Sequence, residues 1–266
     1  MKLRASRKLF ATLACLGPAV GFAQAPSSAD VNAANNPLTP KVTINLHDYW
    51  APKLYDSDDY TNQFLLRGLI PHRLGGAPQL LRFTMPALVT VPDGTGGTTT
   101  GTGDLNLLDL FPFKAGSVEF GIGPQLTIPT ASRPQTGTRL WQAGLGAVAI
   151  APQSWGLLGG LLTWQHSFAG PSDRPTQNNL TFQPFFIYNL PEGFYLRSTG
   201  TWTFDLERHT YFIPVGAGVG KVWVLGGGTT VNVFAEPQWT VSHDGPGQPK
   251  FQVFAGVNLQ FPVGKK

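Results

Sequence analysis

The chain has 266 residues, with 19 Lys and Arg against 15 Asp and Glu, 32 Gly, 23 Pro and only 13% charged residues. That charged share is about half of the usual quarter. The Gly and Pro load is incompatible with a helical protein, and 42% hydrophobic with 12% aromatic residues excludes a disordered one.

The chain opens on a basic start, Lys2, Arg4, Arg7 and Lys8, followed by an apolar stretch from Leu9 to about Phe22 and the small-x-small sequence Ala23-Gln24-Ala25. This is the pattern of a signal peptide over residues 1–25. Pro26 is a poor neighbour for a cut after Ala25, which keeps cleavage after Ala23 open. Lipidation at Cys15 is disfavoured by Thr12, which stands where a lipobox has Leu. The apolar stretch is shorter than the about 20 residues that a membrane-spanning helix needs. All four basic residues of the leader depart with it, leaving 15 basic against 15 acidic residues. The basic balance is thus a targeting feature, and nucleic acid is not an expected partner. Cys15 is the single cysteine, so the mature chain has neither disulfide nor thiol chemistry.

Residues 26–39 are polar and rich in Pro, Ala and Asn, and read as a flexible periplasmic N-terminus. From residue 40 to 263 the chain alternates apolar and polar residues in segments of about ten. In Ser117–Ile128, Val118, Phe120, Ile122, Pro124, Leu126 and Ile128 take one face, with Glu119, Gly121, Gly123, Gln125 and Thr127 on the other. The segments fall near 41–50, 62–70, 79–90, 104–112, 117–129, 139–150, 154–168, 179–190, 194–204, 210–223, 230–241 and 250–262. Long polar connections (51–61, 91–103, 130–138, 169–178) alternate with tight ones (114–116, 151–153, 191–193). The polar face carries mostly Gly, Ser, Thr, Asn and Gln, whereas a water-facing sheet would carry frequent Lys and Glu. The expected fold is therefore an all-β, antiparallel transmembrane barrel of about twelve strands, apolar outside and polar within. Outer-membrane lipid and the barrel-assembly machinery are its expected partners. Within it, the run Asp93–Gly103 reads as a mobile external loop.

Two regions carry a family likeness. Gly256-Val257-Asn258-Leu259-Gln260-Phe261 resembles the assembly signal of outer-membrane barrels, with Gly256, Leu259 and Phe261 at the motif positions and Phe254 departing from the usual polar residue. The runs Phe120–Leu126, Gly137-Thr138, Trp141–Gly144, Ser167–Gly170, Gln183–Phe185, Tyr188–Pro191 and Pro214–Lys221 resemble a bacterial outer-membrane family of transporters named after the MetA pathway of phenol degradation, whose members are sometimes mislabelled neuromedin U. The resemblance implies an outer-membrane barrel with a transport role and brings no catalytic residues. A solute that is small, and apolar or aromatic, is expected from that family name alone.

Chemistry-bearing motifs are few. Gly216-Ala217-Gly218-Val219-Gly220-Lys221 lacks the first Gly and the final Ser/Thr of a phosphate loop, so its glycines read as strand bending or close lumen packing. His166 and Ser167 are neighbours and so point to opposite faces of a strand, which argues against a hydrolase pair. His47, His72, His166, His209 and His243 are scattered without metal-ligand spacing, and Asp56, Asp58 and Asp59 form a solvated acidic loop. No catalytic, cofactor or metal residue is assigned. Parity turns Arg67, Arg82, Glu119, Arg197, Asp205 and Glu236 into the lumen, as bracing ion pairs or as a charge-selective constriction. It also turns Thr199 inward, so that Thr199→Arg is expected to fold. The function expected from these residues is passive passage or uptake of small molecules. The alternatives are a lipid-modifying enzyme and a plugged structural barrel.

Overall fold

The computed structural model describes residues 25–263, so the signal-peptide expectation lies outside the described residues except for Ala25. One helix, α1 (Ser28–Asn35), precedes an antiparallel sheet of fifteen segments. These are β1 (Val42–Leu54), β2 (Thr61–Leu74), β3 (Ala77–Pro92), β4 (Thr98–Gly101), β5 (Leu105–Ala115), β6 (Val118–Ile128), β7 (Trp141–Gln153) and β8 (Gly156–Ala169). Then come β9 (Asn178–Asn189), β10 (Phe194–Ser198), β11 (Trp202–Asp205), β12 (Thr210–Gly216), β13 (Gly218–Val224), β14 (Thr230–Asp244) and β15 (Pro249–Phe261).

β10 and β11 are halves of one stave, as are β12 and β13, and β4 is a short arm on β3. The last segment pairs back on the first, from Phe261↔Val42 to Val253↔Trp50, closing a ring of twelve staves that has no free edge. Turns 74–77, 115–118, 153–156, 189–194 and 224–230 lie at one end of the ring, together with Val42 and Phe261. The longer connections, such as 92–105 and 128–141, lie at the other.

Alternation fixes what each face presents. Ile122 (51% exposed), Leu145 (55%) and Leu162 (44%) are bare on the outside, while their neighbours Gln125, Gln142 and Thr163 are buried on the inside. Outward aromatics gather at both rims: Trp155, Tyr188 and Phe194 near the tight turns, and Trp50, Trp141 and Trp164 near the long loops. An apolar band between two aromatic girdles is what a bilayer demands of a barrel.

Residues 26–39 depart from the flexible N-terminus expected of them. Ser27 caps α1: Asp30 N donates to Ser27 Oγ (3.2 Å), and Ser27 N donates to Asp30 Oδ2 (2.9 Å), a complete capping box. The helix and the turn that follows it lie inside the ring near the tight turns, with Val31 and Ala34 of the helix and Leu38 after it at most 5% exposed. There they complete a core with Leu110, Ile150, Leu157, Ile187 and Val222. Burial of that apolar stripe supplies what the polar composition concealed.

The Asp93–Gly103 run is also more ordered than its composition suggested. β4 pairs with β3 through Val89↔Gly101 to Pro92↔Thr98. The Asp93 carboxylate accepts from Thr95 N (2.8 Å), Thr95 Oγ1 (2.8 Å) and Gly97 N (3.0 Å). Those bonds, the Thr95 backbone N–H foremost, hold its pKa below the usual carboxylate range.

Candidate functional site in the barrel lumen

The lumen is braced on one wall around Glu236. Alternation along β14 sends Thr230, Asn232, Phe234, Glu236 and Gln238 inward, and all five are buried. The two staves facing Glu236 are both interrupted, at 199–201 and at 217. The glycines of β12 and β13 make the room. A Cβ on Gly216 or Gly218 would overlap Glu236, and one on Gly220 would overlap the Tyr195 ring. Into that gap the carboxylate accepts four bonds: from Arg197 Nε (2.7 Å), Thr199 N (2.7 Å), Thr199 Oγ1 (2.7 Å) and Gln238 Nε2 (3.0 Å). Thr199 N thus bonds to a side chain where the ladder is broken. Arg197 also donates to Thr199 Oγ1 (2.7 Å), and its guanidinium lies 3.6 Å from the Phe234 ring centroid. A buried charge pair this well satisfied braces the wall.

Thr199 is therefore no open lumen position. At 3% exposed, with its backbone and hydroxyl both spent on Glu236, it has no room for arginine. The tolerance expected of Thr199→Arg is corrected on that ground.

A second stretch of the wall, on β2 and β3, has different electrostatics. Arg67 on β2 and Arg82 on β3 are diagonal neighbours across the pairings Arg67↔Thr84 and Leu69↔Arg82. With Arg197 and His47 they line one cavity of about 130 Å³, closed below by Ala34, Asn35 and Asn36 of the N-terminal segment. His47 Nε2 lies 2.7 Å from Asn258 Oδ1, and His47 Nδ1 lies 3.3 Å from Arg67 Nη1. An imidazole that donates to the amide oxygen through Nε2 accepts from Arg67 through Nδ1, which is the neutral tautomer. Among the described residues, neither Arg67 nor Arg82 has a carboxylate partner. Arg67 Nε and Arg82 Nη1 are buried and unbonded.

The remaining inward charges lie apart from this cavity. Glu119 accepts from Asn36 Nδ2 (2.7 Å) and pairs with Lys114 (2.7 Å) at the tight-turn end. It belongs to a second cavity of about 540 Å³, lined by Leu38, Phe113, Phe120 and Pro112 among others. The two cavities share Asn36 and Thr39 in their walls. Asp205 sits at the long-loop rim, paired with Arg208 (2.5 Å). Gly256, Leu259 and Phe261 lie in the closing strand, paired with His47, Ile44 and Val42. A Cβ on Gly256 would collide with His47 and Phe234, so this glycine also makes space for the cavity wall. Phe254 points inward, stacking on Tyr49 at 4.1 Å between centroids.

His166 and Ser167 lie on opposite faces, paired with Ala143 and Gln142, and Ser167 Oγ accepts from Gln177 N (3.0 Å). Sequence reasoning missed His47, Asn258, Tyr195 and Phe254. Parity alone flags all four as inward, but only the closing pair β1–β15 brings His47, Asn258 and Phe254 together.

No family model matches the chain, and no curated protein matches it. By fold it is similar to the crystal structure of an outer membrane channel from Pseudomonas putida F1, with a TM-score of 0.61. The two share 16% identity over 83% of this chain and 96% of that one, a likeness that establishes the barrel fold alone.

Proposed function

We propose that the protein is an outer-membrane channel, exported by its N-terminal leader, through which small molecules move down their gradients alongside α1. One observation supports this most: an apolar-faced wall closed on itself holds α1 and, beside it, two cavities that share Asn36 and Thr39 among their lining residues. The larger, lined on its inward side by Leu38 and four prolines, suits small apolar or aromatic solutes. Twelve staves give a lumen between the filled eight-stranded barrels and the open sixteen-stranded ones. The segment from α1 to Thr39 narrows it further. A lipid-modifying enzyme is disfavoured by the opposed faces of His166 and Ser167.

The test is single-channel recording in planar bilayers. The purified barrel is expected to give discrete conductance steps, and the chain expressed with its leader is expected in the outer-membrane fraction. No steps from either the intact barrel or a variant lacking residues 26–39 would leave a plugged structural barrel as the better reading.

A further inference from the structure

The wall around Glu236 and the wall around Arg67 and Arg82 obey different rules. Arg197 is neutralised by Glu236, donates to Thr199 Oγ1 and lies over the Phe234 ring. Among the described residues Arg67, which lies 5.9 Å from the Tyr49 ring centroid, and Arg82 have no carboxylate partner, and the residues lining their cavity include no Asp or Glu. Two guanidinium groups of like charge, diagonal neighbours on adjacent strands, repel one another, and each keeps a buried donor unbonded. A wall built only for strength pairs its half-buried cations or replaces them, because a buried guanidinium donor left without a partner is costly. His47 offers no relief: held by Asn258, it gives Arg67 one weak acceptor and no charge.

The missing partner is an anion, and the cavity describes its shape. The guanidinium donors form a planar fork suited to a carboxylate. Beside them stand the apolar surfaces of Phe185, Phe254 and Leu69. The volume of about 130 Å³ is close to the roughly 150 Å³ of an apolar cavity known to hold benzene. We propose that this cavity binds a small organic carboxylate, its carboxyl group gripped by Arg67 and Arg82 and its body lying against Phe185 and Phe254. The proposal rests on the channel reading only in making the site part of a solute path; binding itself does not require conduction.

Calorimetry on the full barrel in detergent, with sodium benzoate and its neutral isostere benzamide as probes, tests this. Benzoate is expected to bind about tenfold or more tightly than benzamide, the loss that follows when a charge-assisted bond is removed. Arg67→Gln with Arg82→Gln is expected to abolish that preference while retaining the heat-modifiable gel band of a folded barrel. Equal binding of benzoate and benzamide to the unaltered protein overturns the proposal, and needs no variant to fold. Complete displacement of benzoate by equimolar chloride also overturns it, since the site would then be an unselective anion site. Binding without conductance defeats the channel reading and leaves the site standing; conductance without binding does the reverse.

Discussion

Leu162 and Leu196 both face outward, 44% and 46% exposed, but at different depths. Leu162 is at the middle of β8, whereas Leu196 lies two residues from the tight turn that opens β10. Arginine on the lipid face costs about 2–4 kcal/mol at mid-membrane and about 0–1 kcal/mol near an interface. Leu162→Arg is therefore expected to lower barrel stability by the first amount and Leu196→Arg by the second. Thr203→Arg, on the exposed inward face of β11, is expected to fold and to shift ion preference instead. Urea unfolding in detergent measures the first two, and reversal potentials under a salt gradient the third; equal losses at all three positions would refute the two-faced wall. The inward direction of Arg67, Arg82, Arg197 and Glu236 was legible in the sequence, because period two decides a side chain's face. Their partners were not. Nothing local distinguishes Arg197, which has Glu236 39 residues on, from Arg82, which has no carboxylate among the described residues.

At the scale of elements, the departure that matters is α1. Ser27 and Asp30 spell a capping box in the sequence, yet the helix is short and its composition polar. An isolated helix of this length is unstable in water; its stability comes from the lumen. Asn32 donates to Gln153 O (2.8 Å), Asn36 to Glu119 (2.7 Å), and Asn189 to Asn32 Oδ1 (3.0 Å). The asparagines that suggested flexibility are the residues that anchor it. Deleting residues 26–39 is expected to raise single-channel conductance severalfold while preserving the heat-modifiable band. Unchanged conductance would mean that solutes bypass this segment. Strand lengths deviated for a related reason. β1 and β2 run to Leu54 and Leu74, past Pro52 and Pro71, where the sequence suggested they stop. At Pro71 the proline removes one donor without ending the ladder because Ile70↔Leu81 and His72↔Gln79 hold the register, whereas at Pro52 the pairing of β1 with β15 shifts register between Trp50 and Lys53 and then resumes.

For the whole molecule, the number of staves and their up-and-down order were readable because lipid and lumen impose opposite demands on alternate residues throughout the wall. Closure depends on the last strand, which pairs with both β1 and β14. Phe261 is paired with Val42 at the rim of that seam. Phe261→Ala is expected to reduce the assembled fraction severalfold, seen as a weaker heat-modifiable band in membrane extracts. Unchanged levels would count against Phe261 as part of an assembly signal.

The anchoring of α1 has a kinetic consequence. Ala34 O accepts from Asn232 Nδ2 (3.4 Å) and Gln260 Nε2 (3.1 Å), which belong to the last two strands of the chain. The segment made first can thus complete its bonds only when the segments made last are in place, and such distant contacts form late. Seating of the helix becomes a built-in report that the ring has closed. In a refolding time course, protease resistance of residues 25–36 is expected to appear no earlier than the heat-modifiable band, and in Phe261→Ala the unassembled fraction is expected to be clipped there.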